Sequence, residues 1–267
     1  MNTDTMSTDK MLSRKDGPIG FLTFNNPERR NAVSPEMSLA GAEILEDFAA
    51  DKAIRVVVLH GAGDKAFVSG ADISKFESAR ATPEQAEKWN KASETFRDLL
   101  RHIGKPTIAM IRGYCVGGGL GIALNCDLRI TAEDGQFGIP AAKLGIGYAA
   151  DAVGRLVDLV GPSAAKDILY TGRRMNAQEA LRIGLVNYVL APAELEEFVA
   201  SYAKTIAGNA PLSLIASKRV IDELMKDPAQ RDQALCDKVV ANCFASKDYV
   251  EGRRAFMEKR KPVFTGT

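Results

Sequence analysis

Apolar residues form short runs in the first half of the chain and fall at helical spacing in the second half. The runs at 19–24, 54–60, 107–111, 127–131 and 186–190 predict strands, because short apolar runs bounded by turn residues are typical of buried parallel strands. Strands interleaved with helices, followed by a mostly helical end, predict an α/β protein.

Capping residues and periodicity predict where the helices lie. Ser34 before Pro35 predicts one helix start, and Thr82 with Gln85 forms a capping box for the next. Further helices are predicted at 120–124, 151–160, 163–171 and 177–183. Two apolar stripes predict amphipathic helices: Leu195, Phe198, Val199, Tyr202 and Ile206, then Leu214, Ile215, Ile221 and Met225.

Composition excludes several classes of partner. The chain has 267 residues with a formal net charge of +1, so it has no basic excess for nucleic acid or a membrane surface. No apolar run reaches the roughly 18 residues of a membrane span. The four cysteines have no C-x-x-C spacing and predict reduced thiols in a cytoplasmic protein, and two histidines make a metal site unexpected.

We divide the chain into three regions. Residues 1–16 are polar, carry no apolar signal region and are expected to form a flexible N-terminal tail. Residues 17–195 are expected to form the core, and residues 196–267 a helical C-terminal region.

The stretch at 105–140 organises the chain. A predicted strand leads into three consecutive glycines, Gly117, Gly118 and Gly119, which precede a short apolar helix. Glycines at such a turn let a ligand approach the backbone, and the free N–H groups of a helix start suit a developing negative charge. The alternatives are a flexible glycine loop or close packing of a helix on a strand.

Three familiar motifs are absent from this stretch. Leu124 stands where a dinucleotide-binding fingerprint needs a small residue, and Ile122 and Ala123 stand where a phosphate loop needs Lys and Ser or Thr. There is no G-x-S-x-G nucleophile elbow. A second loop, at 61–72, is dense in small residues directly after a strand, and it is either functional or a plain surface connection.

Several motifs in order make the chain resemble the enoyl-CoA hydratase/isomerase (crotonase) superfamily. The resemblance covers nearly everything from Gly20 to Phe264. The matching segments are PERRNAVSPEM at 27–37, KAFVSGADI at 65–73, KPTIAMIRGYCVGGGLGIALNCDLRI at 105–130, QFGIPAAKLGI at 136–146, TGRRMNAQEALRIGLVNYV at 171–189 and FMEKRKPVF at 256–264.

The resemblance implies a fold and a chemistry. It implies a crotonase-like spiral of ββα units with a helical C-terminal trimerisation region, often assembled as a dimer of trimers. The implied substrates are acyl-CoA thioesters, with coenzyme A entering as part of the substrate and no separate cofactor. The implied oxyanion hole consists of the N–H groups of Ala71 and Gly118, which would stabilise an enolate-like oxygen.

The resemblance also implies a substrate-binding set. Cations near the CoA phosphates suit their charge, and Phe256 and Lys259 would reach the CoA of a neighbouring subunit. The residues predicted to bind CoA or the acyl chain are Arg29, Arg30, Ala66, Asp72, Ile73, Ser74, Gly117, Gly121, Ala141, Tyr148, Phe256 and Lys259.

The chain departs from the family where acid–base chemistry is expected. Hydratases of the family carry glutamates at the positions of Gly121 and Ala141, and isomerases often carry an aspartate at the position of Ala149. Asp151 is the nearest replacement and is predicted as catalytic; its alternative is the cap or first turn of the following helix. Tyr148 is either a proton donor or part of the acyl pocket.

These observations leave three hypotheses. The first is a lyase-type enzyme, an enoyl-CoA hydratase of fatty acid or related acid degradation, with isomerisation, decarboxylation or thioester cleavage open on the same scaffold. The second is a non-catalytic acyl-CoA-binding protein, which the missing glutamates favour. The third is a nicotinamide-dependent reductase, which the absent fingerprint disfavours.

Overall fold

The computed structural model describes residues 8–72 and 82–267. Ten strands lie in these residues and form two sheets. They are β1 Met11–Asp16, β2 Ile19–Phe24, β3 Val56–Gly61, β4 Ala66–Val68, β5 Thr107–Ile111, β6 Tyr114–Val116, β7 Leu128–Ala132, β8 Gln136–Gly138, β9 Met175–Asn176 and β10 Tyr188–Leu190. The larger sheet has the order β1-β2-β3-β5-β7-β10, and the smaller has the order β4-β6-β8-β9.

Nine α-helices lie in the same described ranges. They are α1 Pro35–Ala50, α2 Pro83–His102, α3 Gly118–Ala123, α4 Ala150–Thr171, α5 Ala177–Arg182, α6 Leu195–Ala207, α7 Pro211–Leu224, α8 Gln233–Phe244 and α9 Lys247–Met257. Short 3-10 helices occupy Pro27–Arg29, Pro140–Leu144 and Pro228–Gln230. Together with the two sheets, these helices confirm the predicted α/β class.

The central strands of the larger sheet are buried on both faces. Strands β2, β3, β5, β7 and β10 run parallel, as the continuous apolar runs predict. On one face Val57 and Leu59 pack in the main core, and on the other Val56 and Val58 pack against α6. The first apolar stripe of the sequence therefore lies on α6 and faces this sheet.

The smaller sheet brings three loops to one edge. Strand β4 pairs parallel with β6, and β6 pairs parallel with β8. The carboxyl ends of parallel strands meet at the same edge of a sheet, so the segments that follow β4, β6 and β8 are neighbours. These segments are the loop at 69–72, the glycine turn at Gly117 and the 3-10 helix that contains Ala141.

The N-terminal segment differs from the expected flexible tail over residues 11–16. Strand β1 pairs antiparallel with β2 from Met11 opposite Phe24 to Asp16 opposite Ile19. It lies at the edge of the sheet, with Met11 buried and its other residues exposed. An edge strand with so little burial has a polar sequence. A polar sequence is also typical of a flexible tail, so the sequence pattern does not distinguish the two.

Helix ends follow the predicted chemistry. Ser34 Oγ accepts a hydrogen bond from Met37 N (3.4 Å), and Thr82 forms both bonds of the capping box. The two helices predicted on either side of position 161 are two segments of α4 separated by Gly161, whose φ of 74° is non-helical.

The described residues contain neither a membrane-spanning helix nor a group of metal ligands. None of their helices is long and apolar enough to cross a membrane. Within the same ranges, no group of three or more His, Cys, Asp or Glu residues could hold a metal ion. The four cysteines are free thiols, and burial raises the pKa of Cys126 to about 12.

Candidate active site

The backbone around Ala71 is fixed by one neighbouring residue. Val33 N donates to Gly70 O (2.9 Å), and Val33 O accepts from Asp72 N (3.0 Å). Because Val33 pairs with the residues on either side, the N–H of Ala71 points away from it. Within residues 8–72 and 82–267 this N–H donates no hydrogen bond.

The second backbone donor lies at the start of α3. Gly117 N donates to Gly138 O (2.8 Å), and Gly117 has a φ of 56°, which favours glycine. Gly118 is the first residue of α3, so its N–H has no partner inside the helix. A Cβ on Gly119 would lie 2.0 Å from Val68 O, so only glycine lets α3 pack this closely on β4.

The two donors are adjacent. A Cβ built on Gly118 would lie 3.7 Å from Ala71 N, and one built on Gly70 would lie 3.9 Å from Gly118 N. Two N–H groups that lie beside each other, with no partner among the described residues, suit an oxygen that gains negative charge. Close packing of a helix on a strand, one of the alternatives given for the glycines, is present here, and it brings Gly118 beside Ala71.

The positions that lack carboxylates have different surroundings. Within residues 8–72 and 82–267, no atom lies within 4 Å of a Cβ built on Gly121. Ala141 is 7% exposed at the start of the 3-10 helix after β8. The hydrogen bond from Gly117 N to Gly138 O connects the end of β8 to the glycine turn. Ala149 precedes α4.

Tyr148 is half-buried against the main core. Burial raises the pKa of its phenol above the ordinary value, although Arg97 lowers it slightly. The hydroxyl is therefore protonated at neutral pH and can donate a hydrogen bond. Both alternatives for Tyr148, a proton donor or a wall of the acyl pocket, fit this state.

The loop predicted to bind CoA is attached to the residues after β4. Ser69 N donates to Arg30 O (3.1 Å), and Ser69 Oγ donates to Arg29 O (3.3 Å). The Arg30 guanidinium lies 5.0 Å from the centre of the Tyr114 ring, in a cation–π contact. Arg29, Arg30 and Ala66 thus lie in one connected region.

Asn31 holds this region together, although no motif in the sequence pointed to it. Its buried Nδ2 donates to Ala66 O (2.7 Å) and to Ala62 O (3.0 Å), while its Oδ1 accepts from Asn26 N (2.9 Å). The signal that could have indicated Asn31 is an Asn in a turn without glycine. Asn tolerates a positive φ, and the φ of Asn31 is 56°.

The remaining predicted binding residues lie elsewhere or outside the described part. Asp72 is buried, whereas Ile73 and Ser74 lie outside the described residues. Phe256 is 82% exposed near the end of α9, and Lys259 is an exposed residue just beyond it. Their CoA-binding roles stay predictions.

Asp151 lies in the first turn of α4, which is the alternative given for it. Its carboxylate is 71% exposed and accepts a hydrogen bond from Arg101 Nη1 (3.2 Å). An exposed ion pair of this kind contributes about 0–1 kcal/mol to stability. The exposed position favours the helix-terminus role over the catalytic one. Among the described residues, the Asp151 carboxylate bonds to Arg101 and not to Ala71 or Gly118.

We therefore expect Asp151→Asn to keep the activity of the parent protein. The turnover number should stay within about twofold, and the free energy of unfolding within about 0.5 kcal/mol, because exposed substitutions away from special features have small effects. Steady-state kinetics and thermal unfolding measure both. A loss of activity of 100-fold or more, the contribution typical of a general acid or base, would instead make Asp151 catalytic.

The α/β fold and the adjacent N–H groups of Ala71 and Gly118 match the arrangement that the family resemblance implies. The family model described as enoyl-CoA hydratase/isomerase matches residues 14–267. The chain belongs to the enoyl-CoA hydratase/isomerase family.

Known proteins are similar to this chain in sequence and structure over nearly its whole length. The chain is 35% identical to a crotonyl-CoA hydratase of Syntrophomonas wolfei, over 97% of this chain and 99% of that protein. It is 34% identical to a short-chain-enoyl-CoA hydratase of Clostridium acetobutylicum, over 96% of this chain and 97% of that protein. Among solved structures, an enoyl-CoA hydratase/carnithine racemase of Magnetospirillum magneticum superposes with a TM-score of 0.93 at 41% identity, over 98% of this chain and 97% of that chain.

Proposed function

We propose that this protein binds acyl-CoA thioesters and stabilises a thioester enolate between Ala71 N–H and Gly118 N–H, with hydration of a 2-enoyl-CoA as its reaction. The observation that carries the proposal is that the N–H groups of Ala71, after β4, and Gly118, at the start of α3, lie side by side. Neither has a hydrogen-bond partner among the described residues. The full-length similarity to two proteins named as short-chain or crotonyl-CoA hydratases supports the substrate class.

The energetic role of the two donors follows from where charge develops. When water adds to the β-carbon of an enoyl thioester, electron density moves onto the thioester oxygen. Donors that are fixed before the reaction stabilise that oxygen without reorganising, and each is typically worth about 3–4 kcal/mol.

Absorbance of crotonyl-CoA tests the proposal. Hydration removes the conjugation between the double bond and the thioester, so the ultraviolet absorbance falls as product forms. We expect an enzyme-dependent fall and a product identified as 3-hydroxybutyryl-CoA by mass spectrometry. No fall with crotonyl-CoA or with longer enoyl-CoAs, while CoA thioesters still bind, would contradict hydration.

A second candidate function is acyl-CoA binding without hydration. It is favoured by the non-acidic residues at Gly121, Ala141 and Ala149, since general acid–base groups typically contribute about 100- to 10,000-fold to a rate. Tight binding without turnover on enoyl, β,γ-enoyl and malonyl-type thioesters would select this candidate. Turnover of one of the latter two would select isomerisation or decarboxylation.

We further propose a homotrimer or a dimer of trimers, cytoplasmic in location. Large apolar side chains are exposed on all three C-terminal helices. They are Ile221, Leu224, Val240, Phe244, Val250, Phe256 and Met257, and each is at least 44% exposed. Large exposed apolar side chains on neighbouring helices are typical of a surface covered by another subunit.

We expect Phe244→Glu to dissociate the oligomer. Phe244 is 63% exposed on α8, and a glutamate there would put a charge into a desolvated interface. Light scattering after size exclusion should show the mass of a single chain. Leu12→Glu, which changes an exposed residue on the edge strand β1, is the matched control and should keep the oligomer. An unchanged mass for Phe244→Glu would place the interface elsewhere.

A further inference from the structure

The structure contains a buried arginine that is held by backbone carbonyls. Arg129, on β7, is 3% exposed. Its guanidinium donates to Leu185 O (2.8 Å), Cys126 O (2.8 Å) and Ala123 O (3.3 Å), with a longer bond to Asp127 O (3.4 Å). No carboxylate of the described residues forms an ion pair with it.

Two of these carbonyls lie at the end of the helix that begins with Gly118 and in the turn just after it. Helix α3 runs over Gly118–Ala123, so Ala123 is its last residue and Cys126 follows in the next turn. The helix is short, about 9 Å at 1.5 Å per residue, so a displacement of one end is carried to the other. Ala123 O also accepts a hydrogen bond from Cys126 N (3.2 Å), and the Arg129 guanidinium adds a charged donor to this carbonyl and to Cys126 O.

The other end of α3 is fixed differently. Gly119 lies against Val68 with no room for a side chain, and Gly117 N bonds to Gly138 O. These contacts set the closeness of α3 to β4. At the other end of the helix, Nη1 of Arg129 donates to both Ala123 O and Cys126 O.

Arg129 is also bonded to the residues that precede β10. Arg129 N donates to Asn187 Oδ1 (2.8 Å), and Asn187 N donates to Arg129 O (2.8 Å). Together with the bond to Leu185 O, these contacts attach the end of α3 to the segment that leads into β10. The arginine is thus held by the sheet and in turn holds the helix.

We infer that Arg129 is a positioning residue that holds Gly118 N–H at the distance from Ala71 N–H that a thioester oxygen requires. The inference rests on the proposed enolate-stabilising function and adds a residue to it. A donor displaced by a fraction of an ångström loses much of its effect, because binding and catalysis depend steeply on geometry.

The test uses Arg129→Lys and Arg129→Met with acetoacetyl-CoA as the probe. The enolate of this ligand absorbs in the near ultraviolet, so its bound fraction reports the oxyanion site without turnover. Lysine keeps the charge but cannot reproduce the planar fork of donors. We expect both variants to lower the bound enolate fraction and the turnover number of crotonyl-CoA by about 10- to 100-fold. The dissociation constant of free CoA, which has no thioester oxygen, should stay near the parent value.

Arg55→Lys is the matched control. The Arg55 guanidinium also donates to two backbone carbonyls, Ala207 O (3.2 Å) and Phe264 O (2.6 Å), but these belong to the C-terminal region. This variant should lose thermal stability while its bound enolate fraction stays at the parent value.

The outcomes separate the inference from the proposed function. A parent protein that neither turns over crotonyl-CoA nor enolises acetoacetyl-CoA would contradict the proposed function itself. A parent that does both, with Arg129 variants that match its enolate fraction, would overturn the inference alone. Equal losses of enolate, CoA affinity and thermal stability, or loss of folding in both variants, would also overturn it, because Arg129 would then stabilise the whole fold.

Discussion

Gly118→Pro should lower the turnover of a 2-enoyl-CoA by about 100- to 1000-fold, the effect typical of removing one oxyanion donor. Proline has no N–H, and it is tolerated at the first residue of a helix, where the N–H has no intrahelical partner. The space permits a side chain, because a Cβ on Gly118 would meet its nearest atom at 3.7 Å. Steady-state kinetics on crotonyl-CoA measure the loss, and circular dichroism checks that the fold is kept.

Gly118→Ala is the control for this prediction. It adds the same Cβ and keeps the N–H, so it should lose far less activity than the proline variant. Equal losses in the two variants would mean that the added carbon, and not the missing donor, is responsible. Unchanged turnover in Gly118→Pro would remove Gly118 from the site.

Gly121→Glu should raise the hydration rate, and Gly121→Glu combined with Ala141→Glu should raise it further. These are the positions at which family hydratases carry glutamates. No atom of the described residues lies within 4 Å of a Cβ built on Gly121, so none of them blocks the start of a side chain there. A well-placed general acid or base contributes about 100- to 10,000-fold, and the lower value is the expected gain for the single variant.

Gly121→Gln is the control for the glutamate variants. It has the same size and the same helix-forming advantage over glycine, but it cannot exchange a proton near neutral pH. The rate gain should therefore be absent from it. A decrease in rate for Gly121→Glu would indicate that the open space at Gly121 belongs to the bound substrate, which the larger side chain would displace.

The central parallel strands of the large sheet could be predicted because they are buried on both faces, whereas the exposed edge strand β1 was expected to be a flexible tail. A doubly buried parallel strand such as Val56–Gly61 needs an apolar, β-branched sequence, and that run is visible without any structure. The small sheet was missed, since strands of two or three residues such as Ala66–Val68 and Gln136–Gly138 are too short to show a period.

Periodicity predicted where helices lie but not what they contact. The stripe on α7 was expected from its spacing, yet Ile221 is 59% exposed and Met225, just after the helix, is 57% exposed. An apolar stripe requires a partner surface, and the sequence does not say whether that surface belongs to the same chain or to another subunit.

The candidate site was only partly accessible to reasoning from side chains. Gly118 could be found from its glycine cluster, whereas Ala71 acts through its backbone and carries no chemical signal, so only the family resemblance pointed to it. Arg129 was equally hidden. Nothing in its neighbourhood in sequence shows that its side chain is buried among carbonyls, because those partners come together only in the folded chain.

A structure of the protein with a non-reactive acyl-CoA tests the central claim most directly. The proposed function places the thioester oxygen within about 2.7–3.1 Å of both Ala71 N and Gly118 N, the range in which oxyanion donors act. That geometry, with the CoA along the loop from Ala66 to Asp72, is the expected result. A thioester oxygen that contacts neither backbone N–H, or a CoA bound away from this loop, would contradict the account.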